Sequence, residues 1–166
     1  MLHFGTDGVR GVALEELTVE SVRDLARAVA RVLAPGAVVV GRDTRESGEV
    51  LERAVIDGLA AEGVAVHRMG VAPTPAIAFA SERHGHVAIA LTASHNPWTD
   101  NGVKVFAAGG TKLTDAQQIE IEREWHALGT ERPAVAMGTE HDAADMLAEY
   151  EQHRTGTVGA GSEHLH

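Results

Sequence analysis

The chain contains no cysteine, which excludes a disulfide framework, a thiolate metal site and thiol catalysis. Aromatic residues make up only 4% of it, so a core must be built from alanine, valine, leucine and isoleucine. No apolar run reaches the roughly 18 residues of a membrane span, and Met1 begins no signal-like segment. Basic residues are scarce: 14 Lys and Arg stand against 24 Asp and Glu, a formal net charge of −10. That balance argues against general nucleic-acid binding and against docking on an anionic membrane. No Gly-Lys-Ser or Gly-Lys-Thr follows a glycine-rich run, so a Walker-type phosphate loop is missing. No Gly-x-Ser-x-Gly elbow of an α/β-hydrolase is present. A soluble cytoplasmic protein is the simplest reading.

What is present suits one domain of ordinary size: 166 residues, 44% of them hydrophobic. Thr18 to Ala34 reads as a helix, with Thr18 as N-cap and Val22, Leu25, Ala26, Val29 and Leu33 on one face. Pro35-Gly36 ends it, and Ala37 to Val40 reads as a buried strand. Helical spacing returns over 47–61, with Leu51, Ala54, Val55, Gly58 and Leu59 inward and Gly63 as a stop. Strands are expected at Val64–Met69, Val87–Leu91 and Val103–Ala107, with a short helix over Ala76–Glu82. Thr114 and Gln117 form a capping box for a helix that carries Ile121, Trp125 and Leu128 inward. Strands alternating with helices at this interval predict an α/β fold: three layers, α/β/α, around a mixed, mostly parallel sheet. The expected domain spans residues 1–130. Residues 131–154 read as its last helix or the start of a linker, with helical spacing over Ala143–Glu151, and 155–166 as a flexible tail.

Four segments could carry chemistry. Thr92-Ala93-Ser94-His95-Asn96-Pro97 follows the most apolar strand, where catalytic loops of open α/β sheets sit; these residue types also suit an ordinary turn. Phe4-Gly5-Thr6-Asp7-Gly8-Val9-Arg10-Gly11 reads as a tight glycine-rich loop. Its N–H groups could face a phosphate that Arg10 grips with two parallel bonds; an ordinary surface turn is the alternative. Gly41-Arg42-Asp43-Thr44-Arg45-Glu46-Ser47-Gly48 lies just past a strand. Arg42 and Arg45 could bind phosphate there; equally, Asp43 could pair with one arginine while Ser47 caps the next helix, and the structural role is favoured. In Asp100-Asn101-Gly102-Val103-Lys104, Asn-Gly suits a tight turn, and Lys104 could bind phosphate, move a proton or stand solvated at an edge. The ten histidines show no tight ligand constellation.

Together these stretches resemble the α-D-phosphohexomutase family over roughly residues 1–130. Ser94-His95-Asn96-Pro97 followed by Asn101-Gly102-Val103-Lys104 is the specific part. The opening segment, the Asp100–Lys104 stretch and Gly110-Thr111-Lys112-Leu113-Thr114 look most like its phosphoglucosamine mutase branch. Thr92 also looks like the phosphomannomutases and phosphoglucomutases. The resemblance implies that Ser94 carries a phosphoryl group. That group passes to a hexosamine phosphate or hexose phosphate substrate through a bisphosphorylated intermediate, and the 6-phosphate and 1-phosphate are interconverted. It implies Lys104 and His95 as catalytic partners, and Thr6, Arg10 and Asn96 as phosphate or substrate contacts. Arg42, Asp43 and Arg45 are implied as structural or phosphate-binding groups. It also implies Mg²⁺ bound through the phosphate on Ser94. The family's acidic metal segment, sugar-reading loop and phosphate-gripping loop belong to three further domains that this chain lacks. The chain alone is therefore expected to be inactive as a mutase, and the face left open by the second domain to favour self-association. A non-catalytic binding or assembly module with the same fold is the rival reading.

Overall fold

The computed structural model describes residues 2–5, 8–128 and 138–161. Seven strands form one sheet: β1 (Val9–Val12), β2 (Ala37–Arg42), β3 (Ala65–Val71), β4 (Val87–Leu91), β5 (Asp100–Ala107), β6 (Thr111–Lys112) and β7 (Glu140–Asp142). Their order is β1-β5-β4-β2-β3-β7, with β6 paired on β5. β2 runs parallel to β3 and β4, and β3 parallel to β7. β5 is antiparallel to each of its neighbours β1, β4 and β6, so it alone runs against the other strands. The helices are α1 (Val19–Leu33), α2 (Gly48–Ala61), α3 (Thr74–His84), α4 (Asp115–Leu128) and α5 (Ala144–Gly161). This is the mixed, mostly parallel α/β/α sandwich that the alternating pattern predicts.

Strand alternation sorts the core into two layers. Val38, Val40, Val87, Ile89, Leu91, Val103 and Val105 point to one face, where they meet α1, α2 and α4. Val39, Ala88, Ala90 and Phe106 point to the other, where Ala76, Ile77 and Ala80 of α3 and Met146 of α5 close over them. Small side chains on β4 let α3 sit near the sheet.

Helix ends follow local chemistry. The Thr18 hydroxyl accepts from the Ser21 N–H at 3.1 Å and so caps α1. Thr114 and Gln117 exchange the expected pair of bonds at 3.2 and 2.9 Å. Ser47 differs: it makes no side-chain cap for α2, and its hydroxyl instead accepts from the Asn101 amide at 3.0 Å. α1 is buried over more than one stripe because α2 and α4 both pack on it. Even Arg27, at 1% exposure, is enclosed there and donates to Glu62 at 2.9 Å. α5 continues to Gly161, past the residue-154 boundary at which the sequence pattern suggested a tail. No described helix is long and apolar enough to cross a membrane.

Trp125 joins α4 to α1: it is nearly buried, and its indole N–H donates to the Ser21 carbonyl at 2.9 Å. Trp125→Ala should lower stability by about 3–5 kcal/mol, the usual loss for a large buried aromatic. Urea unfolding would read this as a lower midpoint with little change in slope.

Four histidines assemble at the end of the sheet opposite the serine loop. His67 stacks on His86 with ring centroids 5.3 Å apart and on His141 at 5.5 Å, while His84 lies 6.3 Å from His86. Among the described residues, no group of three or more His, Cys, Asp or Glu is placed to hold a metal ion. Burial first, and then the neighbouring imidazoles, push the His67 and His86 pKa values below the ordinary histidine range; Asp145 pulls His67 back only in part. The folded state therefore disfavours protons that the unfolded chain accepts. Their stabilising effect is complete above the unfolded-state pKa, near about 6.5, and is lost as pH falls through and below it. Urea midpoints should fall between neutral and mildly acidic pH, and His67→Asn combined with His86→Asn should flatten that dependence.

Candidate active site

The serine loop begins where β4 leaves the sheet. Thr92 still donates its N–H to the Gly102 carbonyl at 3.0 Å, and Ala93 is fully buried. Ser94 then adopts φ 56, a left-handed conformation that a residue with a Cβ takes only under compensation. The side chain is exposed. Its N–H donates to the Thr92 hydroxyl at 3.0 Å, and the Asn96 N–H donates to the Ala93 carbonyl at 3.1 Å. The Asn96 amide donates to Asp100 Oδ2 at 3.0 Å, which ties both ends of the turn together. The Ser94 hydroxyl is 3.5 Å from His95 Nδ1, the outer limit of a hydrogen bond, so His95 sits beside it without gripping it.

Arg45 organises this loop from the adjacent β2–α2 connection. Its Nη2 donates to the carbonyls of Ser94 at 2.9 Å and Asn96 at 3.0 Å, and its Nη1 donates to those of Pro97 and Asp100. Its Nε donates to Asp43 Oδ2 at 3.1 Å, while Asp43 Oδ1 accepts from the Arg45 backbone N–H. Every donor of a guanidinium group is thereby engaged. Arg42 turns elsewhere, to Glu52 at 3.3 Å; Glu52 is fully buried and also accepts from Arg68 at 2.7 Å. Of the two arginines read from this segment, Arg45 thus holds the serine loop and Arg42 joins α2 to the sheet.

Arg10 and Lys104 share a sheet face near the same strand end. Arg10 lies opposite Gly102, and Lys104 two residues further along β5 faces Ala90 of β4. β5 alternates, so Gly102, Lys104 and Phe106 occupy the face that α3 covers further along. Lys104 is half-buried in the middle of an interior strand, with its ammonium 5.3 Å from the Phe106 ring centroid; it is not a lysine at a strand start or a solvated edge. Arg10 keeps its Nε buried and without a hydrogen-bond partner among the described residues. Gly8, at φ 84, presses its backbone against β5: a Cβ there would lie 2.1 Å from the Val103 carbonyl oxygen. Gly5 and Gly8 exchange both backbone hydrogen bonds, and the chain then enters β1 rather than remaining loop. Thr6, expected as a phosphate contact, lies outside the described residues.

Asn101-Gly102 is likewise strand rather than tight turn. Asn101 is fully buried and donates to Ser47, and its Oδ1 accepts from the Gly102 N–H at 2.8 Å. Thr92, Ser47, Asp100 and Asn101 emerge as supports of the loop. The sequence reads Asn101-Gly102 as a turn and assigns no support role to Asp100, because the long-range partners that recruit these residues have no sequence signature.

Magnesium demands several oxygen ligands in near-octahedral geometry. Both Asp43 oxygens face Arg45, and the two Asp100 oxygens accept from Asn96 and Thr99. The side chains around Ser94 therefore do not by themselves fit Mg²⁺. What the site offers is an exposed, conformationally fixed hydroxyl with two cations on the adjoining sheet face.

The pattern described as "Phosphoglucomutase/phosphomannomutase, alpha/beta/alpha domain I" matches residues 1–132. The chain belongs to this family. It is 49% identical to a phosphoglucosamine mutase of Salinispora arenicola, over 93% of this chain and 37% of that protein. A phosphoglucosamine mutase of Frankia casuarinae is 48% identical, again over 93% and 37%. The solved structure of a phosphoglucomutase/phosphomannomutase family protein from Burkholderia thailandensis superposes with TM-score 0.75. It is 32% identical, and the match covers 92% of this chain and 35% of that one. The chain thus spans just over a third of the length of the curated relatives it matches. Within this domain I, the Ser94 loop, the Arg45 segment and the Arg10–Lys104 face all lie inside the matched residues.

Proposed function

We propose that this chain is the phosphoryl-carrying domain of a phosphoglucosamine mutase, with Ser94 as the carrier, acting in the cytoplasm. The observation that carries the reading is an exposed Ser94 held at φ 56 in the loop after β4, with Arg10 and Lys104 on the strands that pair beside that loop's base. A phosphoserine brings about −1.5 to −2 charges, which an acidic protein tolerates only next to local cations. Arg10, whose Nε has no partner among the described residues, and Lys104 are the cations proposed to supply them. The phosphoester bond at Ser94 Oγ breaks as a hydroxyl oxygen of glucosamine 6-phosphate or glucosamine 1-phosphate bonds to phosphorus. Lys104 gives a proton to the departing Ser94 Oγ and takes up the proton of the attacking hydroxyl, so it is a cation before and after the step. The bisphosphorylated sugar then turns and returns its other phosphoryl group to Ser94. Such transfer is mostly positioning and charge neutralisation. His95 borders the hydroxyl, and Asn96 acts by closing the turn.

Phosphomannomutase or phosphoglucomutase chemistry is the second reading, supported by the Burkholderia neighbour; it uses the same residues on a different sugar. The full reaction calls on the remaining parts of the longer relatives, so this chain alone is expected to show no mutase turnover in a coupled assay.

The test is capture of phosphate. The chain is incubated with a glucosamine or glucose 1,6-bisphosphate, alone and mixed with the remaining domains of the Salinispora relative. Intact-mass analysis should show one added phosphoryl group that is absent from Ser94→Ala. No phosphate in either setting would defeat the proposal.

A further inference from the structure

We infer that Arg45 is the positioning residue of the phosphoryl-carrying loop and not a phosphate ligand, with Asp43 aiming its guanidinium. The functional half of this rests on the carrier reading of Ser94; the structural half does not.

Arg45 gathers the carbonyls of Ser94, Asn96, Pro97 and Asp100 around one planar cation and anchors that cation to Asp43. The turn bonds to itself through the Asn96 N–H to Ala93, the Asp100 N–H to Pro97 and the Asn96 amide to Asp100, but none of these takes up the Ser94 or Asn96 carbonyl. Without the guanidinium those two carbonyls would turn to water, and the turn would lose the only group among the described residues that links Ser94, Asn96 and Pro97 to the neighbouring β2–α2 connection by hydrogen bonds. The left-handed conformation of Ser94 opposes such a turn, so holding it needs an outside source of bonds. Charge-assisted bonds to carbonyls are the strong kind, and five donors in a rigid fork reach several acceptors at once. A lysine at 45 has three donors and a spherical head, and cannot reproduce this. Because Asp43 and the carbonyls saturate Arg45, the anion charge on Ser94 falls to Arg10 and Lys104 instead. Phosphoryl transfer depends steeply on where the attacked oxygen is held, so a loosened loop slows transfer even though Arg45 touches no reacting atom.

The experiment follows backbone amide exchange by NMR in the 166-residue chain, comparing wild type with Arg45→Ala, Arg45→Lys and the milder Asp43→Asn. The Ser94 and Asn96 amides, which donate to Thr92 Oγ1 and the Ala93 carbonyl, are the probes. The expected result is exchange faster by about tenfold or more at both amides in Arg45→Ala, with Val39 and Ile89 in the sheet unchanged. Arg45→Lys should resemble Arg45→Ala, and added ethylguanidine should restore protection to Arg45→Ala but not to Arg45→Lys. Phosphoryl uptake at Ser94, in the mixture with the relative's remaining domains, should fall and recover in step with the loop. Unchanged exchange at Ser94 and Asn96 would overturn the inference, as would equal loosening of Val39 and Ile89, which marks a general fold defect. Normal uptake with a loosened loop would overturn the positioning role. If wild type takes up no phosphate, the carrier reading fails, and the exchange data still decide whether Arg45 holds the loop. Should Arg45→Ala not fold, the Arg45→Lys and Asp43→Asn chains supply the same comparison.

Discussion

Ser94→Ala should reduce mutase turnover of the complemented protein by at least about 10³-fold while leaving stability within roughly 0.5 kcal/mol of wild type. The two halves of that expectation come from different atoms. The hydroxyl is exposed, and among the described residues its hydrogen-bond partner is His95 Nδ1 at 3.5 Å, so its removal breaks little that holds the fold. The bonds that shape the loop run through the Ser94 main chain: its N–H to Thr92 and its carbonyl to Arg45. Alanine keeps both, and keeps the Cβ that makes φ 56 unfavourable, so the turn should survive. Only the hydroxyl oxygen proposed to carry the phosphoryl group is lost. Threonine at 92 is engaged as an acceptor and only half-exposed. The measurement is a coupled assay of the chain mixed with the remaining domains of the Salinispora relative, alongside urea unfolding of the chain alone. Turnover within tenfold of wild type would mean that another group carries the phosphate. A loss matched by a large drop in stability would mean that position 94 matters for folding instead.

Much of the scaffold could be read directly because it depends on neighbours close in sequence. A hydroxyl three residues before an N–H is a cap wherever it occurs, and Thr18 and Thr114 behave accordingly. Five consecutive apolar residues are buried on both faces of a sheet, and Val87–Leu91 is. Roles fixed by distant partners were open. Arg42 and Arg45 are the same residue type three positions apart, and what separates them is that the buried Glu52 waits for one and four loop carbonyls for the other. Asn-Gly favours turns in isolation, yet pairing with β1 on one side and β4 on the other keeps Asn101 and Gly102 in a strand. The glycine-rich opening is strand from Val9 for the same reason. His67, His86 and His141 are far apart in sequence; His67 of β3 lies directly opposite His141 of β7, and its ring also stacks on His86, just before β4. The serine loop is intermediate. Its motif carries the family resemblance, whereas the clamp that gives it shape comes from a segment whose charges look like an ordinary helix start.

Gly102→Val should cost about 3 kcal/mol or more, above the usual range for overpacking, because none of the atoms it meets can step aside freely. A Cβ at this position would lie 2.7 Å from the Thr92 carbonyl oxygen, 2.8 Å from that of Val9 and 3.0 Å from Arg10 Cγ. Two of these are backbone atoms on the flanking chains, so relief requires β1 or the start of the serine loop to move away from β5. Intrinsic preference runs the other way, since valine suits strands and glycine weakens them. A loss of stability would therefore report the close approach and not propensity. Gly36→Val is the control: nothing lies within 4 Å of a Cβ there, and its effect should be small. The shift at 102 also reaches the chemistry. Thr92 donates to the Gly102 carbonyl and its hydroxyl holds the Ser94 N–H, while Arg10 pairs across from Gly102. Displacing β5 from either neighbour shifts Arg10 relative to the serine loop, which the proposed carrier role requires to be held together. Phosphate capture at Ser94 should thus fall in Gly102→Val even at temperatures where the chain remains folded by circular dichroism. If Gly102→Val unfolds at the same urea concentration as Gly36→Val, the sheet yields at this point and the argument that glycine sets the spacing of Arg10 and the serine loop fails.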